Sequence, residues 1–300
     1  MGSRGFPTGG AGELARLAAG VRFVDDRRTE QLEGTLTHRS PRSDDAVGGR
    51  FTVGSKIGPY ELLKYLGRGA LGEVWLAERE SAITKNRLAV KLPLHAVVDL
   101  EAVRREAEVW VRAGNHPNVL PMFEADVYDG QVVVVSEYAP DGSLKEWLER
   151  NAGRAPSVEA AVSMITGILS GLEHLHARGV IHRDLKPANI LMQGESPRIA
   201  DFGLAHLTDT LATSSLAAGT PAYMAPEAFS GERTIQTDLW AVGVILYELI
   251  SGARPFPQSD WMSLAKAIAL AHPASLPSGT PRSMERILQK CLEKDPNRRY

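Results

Sequence analysis

"VIHRDLKPANILM", residues 180–192, sets two kinds of chemistry side by side. Its ends, Val180 with Ile181 and Ile190 with Leu191 and Met192, are apolar core material. Between them, His182, Arg183, Asp184, Lys186 and Asn189 place five polar side chains in eight positions. Burying such groups without partners costs roughly 2–7 kcal/mol each. The stretch is therefore either an exposed loop between apolar segments or a place where polar groups converge on a charged ligand.

What flanks it favours convergence. Upstream, Val158, Val162, Ile165, Leu169, Leu172 and Leu175 line one face of a long helix, with Ser157 as its N-cap and Gly179 just past its end. Downstream, a second short strand, "SPRIA", runs into "DFG", Asp201 to Gly203, twelve residues after Asn189. Two facing strands would bring Asn189 and Asp201 to adjacent ends. A carboxylate and an amide oxygen, with phosphates completing the shell, suit Mg²⁺. Asp184 then remains to orient an attacking hydroxyl and accept its proton, and Lys186 to stabilise a phosphoryl group in transfer.

Two more stretches lie closer to the N-terminus. "LGRGALGEV" spaces Gly67, Gly69 and Gly72 as G-x-G-x-x-G ahead of Val74. Alone the spacing fits an ordinary surface hairpin as well as a phosphate cradle. The following "EVWLAERE" reads as a strand rather than a helix, which argues against a dinucleotide-binding turn. In "LAVK", Lys91 closes a run of Leu88, Ala89 and Val90. It is either an exposed alternating position or an amine paired with a carboxylate, able to hold phosphate oxygens. Glu106 is the best partner, sharing a helix face with Val103 and Trp110 in "DLEAVRREAEVWVRAG". Glu101 and Glu108 compete with it.

The order of texture suggests two lobes. "YELLKYLG", "EVWLAER", "LAVKLP" and "QVVVVSEY" are strand-like, whereas the chain beyond is mainly helical and includes the almost wholly apolar "TDLWAVGVILYELISG". Residues 1–55, rich in Gly, Ser and Arg/Asp, read as a mostly disordered tail, with "GELARLAAGVRFV" a short amphipathic segment that could dock.

Bulk properties exclude several classes. Thirty-four Lys plus Arg against 36 Asp plus Glu give a charge of −2, no support for a nucleic-acid surface. Cys291 is the single cysteine, so no intrachain disulfide or thiolate metal site forms. Phe6 breaks the myristoylation pattern, and no apolar run at the N-terminus has signal-peptide length. The longest apolar run, residues 242–250, is too short to span a bilayer and contains Glu248. A cytoplasmic location is expected, with any anchor lying beyond residue 300.

Taken together, "GRGALGEV", "LAVK", "IHRDLKPAN", "DFG" and "APE" resemble the eukaryotic-like serine/threonine protein kinases in order and spacing over about residues 60–300, in the manner of a bacterial member. The resemblance implies an α+β, two-lobed fold with a β-rich N-lobe (about 56–136), a helical C-lobe (about 140–300) and the active site between them. The family's last helix, after "RRY", is missing from the sequence. The resemblance implies ATP with Mg²⁺, or Mn²⁺ in its place. Lys91 paired with Glu106 would hold the α- and β-phosphates, Asp184 would be the base with Lys186 beside it, and Asn189 and Asp201 the metal ligands. Gly67, Gly69, Gly72, Val74, Ala89 and Leu191 would enclose the nucleotide, and the hinge at Glu137, Tyr138 and Ala139 would meet the adenine. Ser136, just before the hinge, leaves space behind the adenine unless Trp110 fills it.

It further implies that Thr220 supports Asp184 and Lys186, Glu227 pairs with Arg299, and Asp238 anchors the catalytic loop. Arg183 would receive a phosphate from Thr208, Thr210, Thr213, Ser214 or Ser215. Partners would be proteins with Ser/Thr acceptors, and a second copy through trans-autophosphorylation. A nucleotide-binding pseudokinase scaffold and a small-molecule kinase are the alternatives. His174 and His176 read as packing or surface residues, His182 as packing with Phe202, Cys291 as a small buried hydrophobe, and Phe256 as a loop anchor.

Overall fold

The strand-like runs pair into one antiparallel sheet. In the computed structural model, which describes residues 50–69, 72–93, 108–202 and 221–300, the strands are β1 (Lys56–Ile57), β2 (Tyr60–Gly69), β3 (Gly72–Glu80), β4 (Lys85–Pro93), β5 (Met122–Tyr128) and β6 (Gln131–Glu137). Their order is β1-β2-β3-β4-β6-β5. The tail through residue 49, Glu101 and Glu106, and the segment 203–220 with Thr208, Thr210, Thr213, Ser214, Ser215 and Thr220 lie outside the described residues.

Period-two alternation divides the sheet into two faces. Val90 and Leu92 of β4 and Val133 and Val135 of β6 bury into a small core with Tyr60, Leu62, Trp75 and Ala77. The intervening residues, Ala89 and Lys91 of β4 and Val134 and Ser136 of β6, face the other way, toward the cleft. Register fixes them as neighbours: Ala89 opposes Ser136 and Lys91 opposes Val134. Phe51, next to the start of the described chain, packs on the small core, and Arg50 donates to Gln131.

The helical part consists of α1 (Leu144–Arg150), α2 (Val158–His176), α3 (Ile235–Ser251), α4 (Trp261–Leu270) and α5 (Arg282–Cys291), with a short hairpin of β7 (Ile190–Gln193) and β8 (Ser196–Ile199). Ser157 caps α2 by accepting from the Ala160 amide. Helix α3 is buried on nearly every side, as its composition requires. Its Gly243 sits where a Cβ would press on Cys291, which is itself fully buried, with its thiol pushed up to about 12 by burial. Phe256 stacks on Trp240 at 6.0 Å. Among the described residues no helix is long and apolar enough to cross a membrane.

One ion pair ties the far end of this lobe together. Arg299 donates from Nη1 to Glu227 Oε1 at 2.6 Å and from Nη2 to Oε2 at 2.9 Å. Its other donors reach the carbonyls of Glu293, Gln236 and Lys294. All five guanidinium N–H groups are thereby engaged in a side chain that is 0% exposed. A lysine has three donors and no fork. We expect Arg299→Lys to lower unfolding stability by about 3–5 kcal/mol, the scale of a broken buried pair. Urea denaturation measures this, and a loss below about 1 kcal/mol would mean the network carries little of the fold.

Candidate active site

The site is assembled where α2 ends and the β7/β8 hairpin begins. After α2 the chain runs through His182 to Asn189 before entering β7. Asp238, in the first turn of the buried helix α3, holds this loop from beneath. Its Oδ2 accepts from the His182 amide at 2.9 Å and from His176 Nε2 at 2.8 Å, and its Oδ1 accepts from the Arg183 amide at 3.0 Å. Burial alone would raise this carboxyl, but His176 and then His182 outweigh it and hold the group below the usual carboxylate range. Arg183 takes φ +71°, a left-handed conformation that a side-chain-bearing residue adopts at a cost of about 1–3 kcal/mol. The bond from its amide to Asp238 offsets part of that strain.

His182 is 1% exposed and bonds on both ring nitrogens: Nε2 donates to the Ala200 carbonyl at 3.0 Å, and Nδ1 accepts from the Asp184 amide at 3.3 Å. Nε2 is thus the ring's donor and Nδ1 its acceptor. Asp184, 52% exposed at the cleft, accepts on Oδ2 from Lys186 Nζ at 2.7 Å and from Asn189 Nδ2 at 3.1 Å. Asn189 Nδ2 also reaches the Asp184 carbonyl at 2.9 Å. With its donors turned to Asp184, Asn189 keeps Oδ1 as the atom that can meet a cation.

The hairpin brings a second oxygen-bearing side chain, Asp201, into the same neighbourhood. Ile190 opposes Ile199, and the ladder extends one step as the Ala200 amide donates to the Asn189 carbonyl. Asp201 follows at φ +59°. Its Oδ1 accepts from Lys91 Nζ at 3.0 Å, so strand β4 reaches across the cleft to the end of the hairpin. Burial pushes the Asp201 carboxyl up, but Lys91, and more weakly His182 and Lys186, hold it below its ordinary value. Of the candidate partners for Lys91, Glu108 is exposed.

Nucleotide-facing candidates frame the same cleft. Val74 opposes Lys91 and Leu76 opposes Ala89 across β3 and β4, while Gly67 opposes Val74 and Gly69 opposes Gly72 across β2 and β3. A Cβ on Gly72 would run into the Leu92 carbonyl, so that position requires glycine. Below the cleft, Leu191 forms a bridge with Ser143. At the hinge the Glu137 amide donates to the Pro121 carbonyl, and Glu137 Oε2 accepts from Arg198 Nη1 at 2.7 Å. Among the described residues none hydrogen-bonds to the Ala139 backbone.

Three contributions were not read from the sequence. His176 lies four residues after Leu172 and one after Leu175, on the buried face of α2, and a polar group there needs a partner. Asp238 on the buried α3 is that partner, and two polar residues on two buried faces were the available signal. Trp110, in the helical residues 108–113, donates from Nε1 to the Phe202 carbonyl at 3.3 Å. Arg198, on the hairpin, clamps the hinge; only the fold shows this. His174, by contrast, donates to the Ala113 carbonyl at 2.7 Å, a packing role.

An Mg²⁺ fits the donor set in one way. Among the described residues no three His, Cys, Asp or Glu converge on a metal site. Asp201 and Asn189 supply one carboxylate and one amide oxygen, the sparse hard-oxygen set with which Mg²⁺ is held when phosphates complete its shell.

Comparison with known proteins supports the fold. Residues 60–300 match the protein kinase domain family. Over 259 residues the chain is 34% identical to serine/threonine-protein kinase PknH of Mycobacterium bovis, covering 83% of this chain and 43% of that protein. It is likewise 34% identical over 266 residues to serine/threonine-protein kinase Pkn1 of Myxococcus xanthus, covering 83% and 37%. To CBL-interacting protein kinase 26 of Oryza sativa it is 32% identical over 250 residues, covering 80% and 49%. The chain thus spans less than half the length of these relatives. A two-lobed architecture, a loop of Asp184, Lys186 and Asn189 pinned on Asp238, and a family match over four-fifths of the sequence lead to one conclusion: this chain belongs to the protein kinase family.

Proposed function

We propose that this chain is a serine/threonine protein kinase, transferring the γ-phosphoryl group of Mg-ATP to Ser or Thr hydroxyls of proteins. The observation that carries the reading is the Asp184 carboxylate, held between Lys186 and Asn189 with Oδ2 2.7 Å from the amine, facing a cleft that Lys91 and Asp201 close from the other side. The PknH and Pkn1 names point to the same activity and acceptor class.

In this reading Asp184 orients the acceptor hydroxyl and takes its proton as the bond to phosphorus forms. Lys186, already at Asp184, stabilises negative charge on the phosphoryl oxygens. Lys91 and Asp201 neutralise each other at 3.0 Å, and in the nucleotide complex the amine would serve phosphate oxygens and the carboxylate a cation. Asn189 and Asp201 would hold Mg²⁺, which would supply charge neutralisation for the phosphates. Glu106, outside the described residues, is the proposed second partner of Lys91. Tyr223, which donates to Glu248 at 2.6 Å, lines the same pocket as Asp184, where an acceptor peptide would lie.

Activity is proposed to rise on phosphorylation of Thr213, Ser214 or Ser215, which lie outside the described residues. A phosphate there adds about −1.5 to −2 charge for Arg183 to receive. Thr220 is proposed to support Asp184 and Lys186. A second copy of the chain would deliver the phosphate in trans.

Three measurements test these assignments. Asp184→Asn and Lys91→Met should each lower kcat on a generic Ser/Thr protein by about 10²–10⁴-fold while unfolding stays cooperative. Turnover of Asp184→Asn within about tenfold of wild type would remove it as the base. Mass spectrometry after incubation with Mg-ATP should find phosphate on residues 213–215, and full activity of a Thr213/Ser214/Ser215 triple-Ala variant would exclude their role. Finally, Ser136 shares the cleft face with Ala89 and lies opposite both it and Met122. An N6-benzyl ATP should therefore be accepted, gaining ~0.8 kcal/mol per buried CH₂. Ser136→Met should cut its kcat/KM relative to ATP by about tenfold or more, the cost of overpacking. An unchanged ratio would show that Ser136 does not face the nucleotide.

A further inference from the structure

Two histidines that the proposed chemistry does not use meet at the joint between the lobes. His116 opens the segment that runs to Pro121, and His174 lies in the last turn of α2. Their rings stack at 4.6 Å between centroids, tilted by 32°. Both are engaged. His116 Nδ1 accepts from the Asn118 amide at 3.1 Å, so that nitrogen carries no proton. The ring proton sits on Nε2, 3.5 Å from Ser170 Oγ. His174, through its bond to the Ala113 carbonyl, fastens the end of the helical residues 108–113 to α2.

Asn118 is the residue through which the joint holds the larger lobe. Its side chain donates to the Pro197 carbonyl at 2.9 Å, and its own carbonyl accepts from the Ile199 amide at 2.9 Å. The Leu120 amide donates to the Ile199 carbonyl, and the Glu137 amide at the hinge donates to the Pro121 carbonyl. His116 shapes the turn into this segment, because its ring takes the Asn118 amide and its carbonyl takes the Val119 amide. Both rings are half-buried, so protons from solvent can reach them. Burial first, then His174 and Arg178, hold His116 below the usual histidine range, with Glu173 opposing. Those three are the charged or titratable groups acting on the ring among the described residues. Arg198, on the hairpin that Asn118 touches, is committed to Glu137.

We propose that His116 and His174 form an acid-released catch on the joint between the lobes: a proton taken from solvent at His116 Nδ1 removes the acceptor of the Asn118 amide, sets an imidazolium beside a second ring and Arg178, and frees residues 116–121 from α2. Opening returns His116 to the ordinary histidine value of about 6.5, so the opened joint binds the proton more readily than the closed one. The catch is therefore whole above about pH 6.5 and weakens as pH falls below it. Weakening stops once His116 is protonated in the closed joint as well. The release concerns the joint alone and stands apart from the kinase reading.

The test is hydrogen–deuterium exchange of the whole chain between pH 7.5 and 5.0, read by mass spectrometry and corrected for the intrinsic pH dependence of amide exchange. In the wild type, protection of peptides spanning residues 116–121, and of those containing Glu137, should fall about five- to tenfold, the scale of one hydrogen bond. Peptides from the buried α3 should stay better protected at every pH. His116→Asn places an amide oxygen about where Nδ1 lies and does not titrate, so relative to it the wild type should show the whole of this fall. His174→Gln keeps a donor for Ala113 and removes the second ring, so its fall should be smaller than the wild type's and end at a higher pH. An equal fall in His116→Asn, no fall in the wild type, or a fall in His174→Gln as large as the wild type's would each overturn the proposal. Unchanged protection at Glu137, or α3 peptides no better protected than the joint, would overturn it too, the last because the chain would then open as a whole. Either variant decides the matter if the other does not fold.

Discussion

Everything at the cleft depends on one buried carboxylate. Asp238 is 1% exposed, inside a helix that is apolar on almost every side, and an unpaired charge there would be prohibitive. It is tolerated because three N–H donors converge on it: the His176 ring and the amides of His182 and Arg183. Those two amides open the catalytic loop, so the requirement to satisfy Asp238 is also the requirement that the loop take one shape. The loop's strained residue, Arg183, is one of the donors. Charge satisfaction and backbone strain are settled in a single contact, and rigidity passes from the core to the place where Asp184 must be held still.

His182 carries that constraint onward. Its amide belongs to Asp238 and its ring to Ala200 and Asp184. One buried imidazole therefore relates the proposed base to the residue before the proposed metal ligand. The two sides of the reaction are positioned against one another through a single buried ring.

How much of this is legible in sequence follows from the range of each interaction. Period-two alternation in β4 and β6 is local, and it marks Ala89 and Lys91 as sharing a face before any fold is known. The hairpin that brings Asn189 near Asp201 is equally local, spanning twelve residues. Asp238 announces itself by its apolar surroundings. Pairings across elements are different. Lys91 meets Asp201 at a separation of 110 residues, and Trp110 meets Phe202 at 92. Nothing in the spacing chooses Phe202 as the acceptor of an indole, because that depends on how the helical residues 108–113 lie against the hairpin. His176 stands between these cases: its place on the buried face of α2 was visible, its partner 62 residues away was not.

The joint between the lobes shows which side of the cleft is fixed. Residues 116–121 leave the helical segment and run against α2 rather than with the sheet. The Asn118 side chain donates to the Pro197 carbonyl, and its backbone carbonyl accepts from the Ile199 amide. This close approach exists because α2 presents glycine at 167 and 171. A Cβ at Gly171 would come within 2.6 Å of the Asn118 carbonyl, and one at Gly167 within 2.7 Å of the Pro197 ring. Pro121 then accepts from the Glu137 amide, so the hinge strand meets a segment already fastened to the larger lobe. The end of the helical segment is fastened there too, through Ala113 and His174. Asp201, with the bonded Ala200 and Phe202 carbonyls before and after it, thus shares one frame with Asp238. Lys91 reaches that frame across the cleft, on a strand whose core belongs to the small lobe. Because the Lys91–Asp201 pair is made across the cleft from two different frames, any change in the angle between the lobes moves its partners relative to one another.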